Sequence, residues 1–182
     1  MRRRPPLPKV PPLKCPDCGA PMALQLRPES WRADPGRFVQ PFVYLCLNYR
    51  NGCEGKMSAH PDGLPHGIPA PKAIRRARNI CHGIFDPAWT TAPDIYDLSH
   101  CSTAQQRKKA SGHIRKKARQ RAYRYMAEQL NLPEQMAHLG MITDIETLRD
   151  FYRIAAKLSP KFIRDWAKQI EGEKADAVHP PG

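Results

Sequence analysis

Apolar and polar positions divide the chain into an early part with the period of strands and a later part with the period of helices. Residues 42–47, aromatic and β-branched, read as a strand, and 20–26 and 56–60 fit two companions. Further on, Ile74, Ala77, Ile80, Cys81, Ile84 and Phe85 fall on one arc at 100° per residue, which predicts a helix over 72–85. Asp86-Pro87 stops it, Trp89 seals its end, and 91–103 reads as a linker. A long helix then starts after Ser102, has a weak point at Ser111-Gly112, and reaches Leu130. Its inward face is Ile114, Ala118, Ala122, Tyr125 and Met126. The main core helix spans 144–158 with Ile145, Leu148, Phe151, Tyr152, Ile154, Ala155 and Leu158 inward. Thr143 and Glu146 have the spacing of a capping box for it. Ser159-Pro160 opens a last helix to about residue 170.

Cysteines explain why so small a set of strands can hold together. Cys15-Pro16-Asp17-Cys18-Gly19 and Cys46-Leu47-Asn48-Tyr49-Arg50-Asn51-Gly52-Cys53 are two close pairs separated by a long insert, the grammar of a zinc ribbon. A Cys-x-x-Cys turn aims both thiolates at one centre, and four thiolates close a tetrahedron with no position left for water. Cys15, Cys18, Cys46 and Cys53 are therefore expected to hold one structural zinc. A disulfide framework is the competing reading. The opening Met-Arg-Arg-Arg-Pro-Pro lacks the apolar stretch of an export signal, so a reducing, cytoplasmic setting is expected instead. Cys81-His82 and His100-Cys101 form a mirrored set that could hold a second ion, but Cys81 lies on an apolar arc, and packing is preferred.

Charge then points to a partner. The net charge is +13, and from Leu98 to Ala127 there are nine Lys and Arg and no Asp or Glu. A field so concentrated steers toward polyanions. Nucleic acid is the default, DNA ahead of RNA. A membrane surface is disfavoured because the basic helix offers mainly Ala, Tyr and Met on its apolar side. Lys116, Lys117, Arg121 and Arg124 share the outer arc of that helix, and Arg75 and Arg76 lie on the outer face of the first helix. In the ribbon, Trp31, Arg32, Arg37 and Phe38 interleave aromatics with arginines as single strands require, with Tyr49 in the second cysteine turn. Trp31 and Phe38 serve equally well as packing for a ribbon short of core.

The segments CPDCGAPM and YLCLNYRNGC resemble the four-cysteine ribbons at the C-terminal end of bacterial type IA topoisomerases, which bind single-stranded DNA. The second spacing is one residue longer here. GIPAPKAIRRARNICHGIFDPAW, RAYRYMAEQLNL and AHLGMITDIETLRDF together look like a family of small zinc-finger-containing proteins of phages and prophages. That resemblance implies a phage or prophage origin and no particular activity. His82 and His138 match its histidines, and both are expected to position turns.

The expected architecture is α+β: a basic proline-rich arm over 1–13, a zinc ribbon of short antiparallel strands over 14–62, a helix and linker over 63–103, a small all-α domain with the basic helix over 104–171, and a disordered tail over 172–182. The expected function is non-enzymatic binding of nucleic acid. Two rivals stand beside it: an interaction protein docking on a host replication, transcription or defence factor, and a nuclease built on Asp144 and Glu146. The nuclease lacks a second acidic cluster and a nearby lysine.

Overall fold

The computed structural model describes residues 12–27 and 41–178, with side chains up to residue 172. Sheet comes first and helices follow, so the fold is α+β. The chain divides into two compact units, Met1–Arg76 and Ala77–Gly182, the division falling inside the first long helix.

The first unit holds an antiparallel sheet in the order β1 (Leu13–Lys14), β2 (Pro21–Leu26), β3 (Phe42–Cys46) and β4 (Lys56–Ala59). β1 is an addition to the strands expected from sequence, too short for any periodicity to show. Registry puts Met22 opposite Cys46, Leu24 opposite Tyr44 and Leu26 opposite Phe42, while Tyr44 faces Met57 and Phe42 faces Ala59 on the other side. Alternate residues thus collect one apolar face, the period-2 rule at work. Cys15, Met22, Leu24, Phe42, Tyr44, Cys46 and Ala59 form its buried cluster. The Tyr44 hydroxyl, carried inward with its ring, donates to the Gly63 carbonyl at 2.8 Å. That bond removes the cost of an unmatched buried hydroxyl.

Helix α1 (Lys72–Phe85) buries Cys81 and Phe85 in the second unit. Ile80, at the edge of its apolar arc, is 53% exposed, so the inward stripe is narrower than expected. Asp86 then ends the helix and accepts from the Trp89 indole at 3.2 Å and lies 3.3 Å from His82 Nδ1. His82 is a positioning partner for the next turn, in line with its sequence reading. The stretch 91–103 is more than a linker: α2 (Pro87–Thr90) leads into a 3-10 turn at Ala92–Ile95, and Ala92, Pro93 and Cys101 are buried. Small residues and proline hide the apolar contribution of this stretch from a periodicity test.

α3 (Ala104–Leu130) passes through Ser111-Gly112 unbroken. One glycine costs about 1 kcal/mol in a helix, and a 27-residue run of good formers with both ends capped absorbs it. Thr103 accepts from the Gln106 amide at 3.1 Å while the Gln106 side chain accepts from the Thr103 amide at 3.0 Å, a complete capping box. Asn131, left-handed at φ 52°, closes the other end.

α4 (Ile145–Ala155) starts one residue later than its sequence suggested, and this moves the cap. Asp144, in extended backbone, accepts from the Thr147 amide at 2.8 Å. Thr143 lies outside the helix, and Glu146 pairs with Arg149 instead of reaching back. The Asp144 and Glu146 side chains of the nuclease reading are thereby used in a cap and an ion pair. Ser159 caps α5 (Pro160–Val178) by accepting from the Phe162 amide at 3.1 Å, and the helix runs on past residue 170.

The core of the helical unit is aromatic at its centre. Phe85 meets Tyr123 with ring centroids 4.8 Å apart and Phe151 at 5.1 Å, and His138 stacks on Tyr123 at 3.9 Å. Such pairs add about 0.5–1.5 kcal/mol each beyond their burial. Burial, with the Arg119 charge nearby, lowers the pKa of His138 from its ordinary value. Among the described residues, no helix is long and apolar enough to cross a membrane.

Candidate metal centre

Two turns bring the four cysteines together. In the first, Cys15 lies just past β1, the Gly19 amide donates back to the Cys15 carbonyl at 2.8 Å, and Gly19 takes φ 75°, a conformation that costs glycine little. In the second, Cys46 is the last residue of β3 and Cys53 follows a 3-10 turn at Tyr49–Asn51 that ends on Gly52 at φ 90°. That turn lies within the stretch 47–52 that separates the two ligands. The Cys53 amide donates to Asn48 O at 3.1 Å, which folds the loop so that its two sulfurs converge.

All four Sγ atoms lie within 4.8 Å of one another. Cys15 Sγ is 3.6 Å from Cys53 Sγ, and Cys18 Sγ is 3.3 Å from Cys46 Sγ. Four sulfurs each about 2.3 Å from one tetrahedral ion would sit roughly 3.8 Å apart, so the donor set fits a single zinc with small adjustments. All six cysteines of the chain are free thiols, so the disulfide reading fails. No other group of three or more possible ligands occurs among the described residues, and Cys81 spends its thiol on the Leu148 carbonyl at 3.4 Å. The mirrored set Cys81, His82, His100 and Cys101 is not brought together as a second site.

Backbone amides surround the sulfurs. The Asn48 amide points at Cys46 Sγ from 3.4 Å, with the Asn48 side-chain amide 3.8 Å from Cys18 Sγ. The Ala20 amide, ahead of contributions from Cys46, brings the Cys18 thiol down to about 7. Burial pushes the Cys46 thiol up to about 12. With no cation the buried sulfur resists ionisation, and a bound dication supplies the field that makes all four thiolate.

Gly55 sits against this cluster. A Cβ built there would overlap Cys15 Sγ and approach Cys46 Cβ to 3.1 Å, and the Gly55 carbonyl accepts from the Cys46 amide at 2.9 Å. No side chain fits. The turns also carry the start of α1. Asp17, between Cys15 and Cys18, accepts from the Lys72 amide at 2.8 Å and from Arg75 Nη1 at 2.8 Å. Glu54, next to Cys53, pairs with the Lys72 ammonium at 2.9 Å, and its carbonyl accepts from Arg75 Nη2 at 3.1 Å. Desolvation works to raise the Asp17 carboxyl, but Arg75 and the Lys72 amide outweigh it and hold the pKa below 3.8. Asp17, Glu54, Gly55 and Asn48 escaped the sequence reading. Only Gly55 left a signal there, as a small residue shortly after a ligand like Gly19.

The other expected site residues divide. Arg75 is consumed by these contacts, whereas Arg76 is exposed. Tyr49 is half-buried within the 3-10 turn. Lys116 and Lys117 are exposed. Arg121 makes a two-pronged pair with Glu171, at 3.1 and 2.6 Å, and Arg124 reaches Glu128 at 3.5 Å and lies over the Trp166 ring. The acid-free run of sequence thus finds its acids from α5 and from its own last turn. Trp31, Arg32, Arg37 and Phe38 lie outside the described residues.

No curated protein and no solved structure matches the chain. A family model does match, over residues 11–106, a span that takes in all four converging cysteines, both turns and α1. The chain belongs to the DUF3268 family, described as a zinc-finger-containing domain.

Proposed function

We propose that the protein binds nucleic acid without chemical turnover, DNA ahead of RNA, and that it does so through phosphate contacts along the first half of α3. One observation carries this reading. Lys108, Lys109, Lys116 and Lys117 are all exposed, and among the described residues none of them forms an ion pair, while Arg121 and Arg124 further along are occupied. Lys109 and Lys116 are seven residues apart, so they share a face about 10 Å apart along the axis. Gly112 lies between them on that face with open space above it, which lets a backbone come close. Lysine is a point charge that reads phosphate and not base edges, so sequence preference is weak. The zinc centre acts as scaffold. The resemblance to topoisomerase ribbons and to phage proteins supports a role on DNA in a phage or prophage setting.

A salt titration of the zinc-loaded chain on matched single-stranded, duplex and RNA probes tests this. Four phosphate contacts on duplex give a log–log slope of about −3 to −4. Replacing the four lysines by glutamine abolishes most of that slope, whereas Arg121→Gln leaves it nearly unchanged. Indifference to every probe at low ionic strength would reject the reading.

A further inference from the structure

Within the helical unit, α1 and α4 leave an apolar groove of about 410 Å³ lined by Ala77, Ile80, Cys81, Ile145, Leu148 and Tyr152, with Arg149 and Arg153 on its rim. Three of these side chains are large, apolar and open to solvent: Ile80 at 53%, Tyr152 at 41% and Ile145 at 39%. The inward residues of α4 are Leu148, Phe151 and Ala155. Beside them runs a second stripe, Ile145, Arg149 and Tyr152, at intervals of four and three, the spacing of a seam between two helices.

The charges along α4 say what covers that stripe. Reading along the helix they are Glu146, Arg149, Asp150 and Arg153, minus, plus, minus, plus. Within one copy Glu146 pairs with Arg149 and Asp150 with Arg153, both exposed pairs of the kind that contribute little and can exchange partners across an interface. Reversed end to end, this pattern becomes its own complement. Two copies of α4 laid antiparallel about a two-fold axis between Arg149 and Asp150 set Glu146 against Arg153 of the second copy and Arg149 against its Asp150. A parallel arrangement would set like charge on like. Residues 131–182 also carry nearly equal numbers of acids and bases, so this face escapes most of the repulsion that a net charge of +13 imposes elsewhere. We propose that the α1–α4 groove is a self-association surface whose occupant is α4 of a second copy of this chain, in an isologous antiparallel pair. Ile145 and Tyr152 of each copy fill the groove of the other, and the four ion pairs fix direction.

Sedimentation equilibrium on the zinc-loaded full chain tests it. A monomer–dimer equilibrium is expected. Glu146→Arg alone and Arg153→Glu alone each place like charges across the axis and weaken the dimer by about tenfold or more. The double variant, Glu146→Arg with Arg153→Glu, restores the complementary pattern and recovers most of the loss. Both positions are exposed on α4, and helical circular dichroism confirms that each variant is folded. A chain that stays monomeric at the highest soluble concentration overturns the proposal and leaves the groove to a different helix. A dimer indifferent to the single charge reversals, or one not rescued by the double, overturns it as well.

Discussion

The two compact units solve the same problem of burial by different means. In the first, the buried cluster is seven residues, two of which, Cys15 and Cys46, are metal ligands. In the second, Phe85, Tyr123 and Phe151 meet at the centre, and Met126, Leu139, Leu148 and Ile163 fill the space about them. A sheet this small cannot remove enough apolar surface from water to offset its chain entropy, so an ion must close it. The helical unit has no such need. The units should therefore respond to different insults, and a change that makes them respond alike would break the contrast.

Metal removal has the largest expected effect. Structural zinc contributes about 10–16 kcal/mol in small cysteine sites at neutral pH, as much as the whole stability of an ordinary domain. Chelation should therefore melt the sheet while most helical circular dichroism remains. Amide exchange makes the distinction residue by residue: β2 and β3 should lose protection and the middle of α3 should keep it. Simultaneous loss of both would show that the metal holds the chain as one cooperative structure.

The converse test is Phe151→Ala. Phe151 is fully buried with its edge toward Phe85, and removing a phenyl from such a site costs about 3–5 kcal/mol. The melting transition of the helices should fall steeply while the zinc content of the purified protein stays at one ion per chain. A variant that also loses its metal would break the contrast from the other side.

These expectations differ in how far they could be read from the chain alone. The ligand set was legible because a thiolate pair needs a fixed, short spacing, and that spacing is written in sequence. β2, β3 and α1 were legible from periodicity. The buried role of Tyr123 was not, because on an ideal helical wheel Tyr125 is the better candidate, and α3 settles with Ala122, Tyr123, Met126 and Ala127 inward. Nor could the ion pair of Arg121 with Glu171 be seen, since fifty residues separate them and only the return of α5 along α3 brings them together. A charge run in sequence counts acids nearby along the chain, whereas electrostatics counts acids nearby in space. That difference moves the candidate contact surface from Arg121 and Arg124 toward Lys108 and Lys109.

Gly55→Ala sharpens the comparison inside the metal unit. The methyl has to displace Cys15 Sγ or the Cys46 side chain, so the ligand tetrahedron distorts before the sheet does. Zinc affinity should fall by about 10–100-fold, the scale seen when a support of a metal ligand is lost. Competition with a chromophoric chelator measures it. Unchanged affinity would mean that the second turn yields easily, and that the close fit at Gly55 has no part in holding the ion.

Asp17→Ala is the smallest of these changes and the most local. Its carboxylate is the side-chain cap of α1, and removing an N-cap costs about 0.5–2 kcal/mol. Arg75 loses its carboxylate partner as well, but keeps the carbonyls of Ala70 and Glu54, at 2.8 and 3.1 Å. The sulfurs are untouched, so zinc affinity should stay close to the parent value. Exchange of the amides from Lys72 to Arg75 should speed up while those of β2 and β3 hold. If the ion is released as easily as in Gly55→Ala, then the link between the cysteine turn and the start of α1 supports the metal, and the helix holds the ligand turn in shape through Asp17 rather than merely being held in place by it.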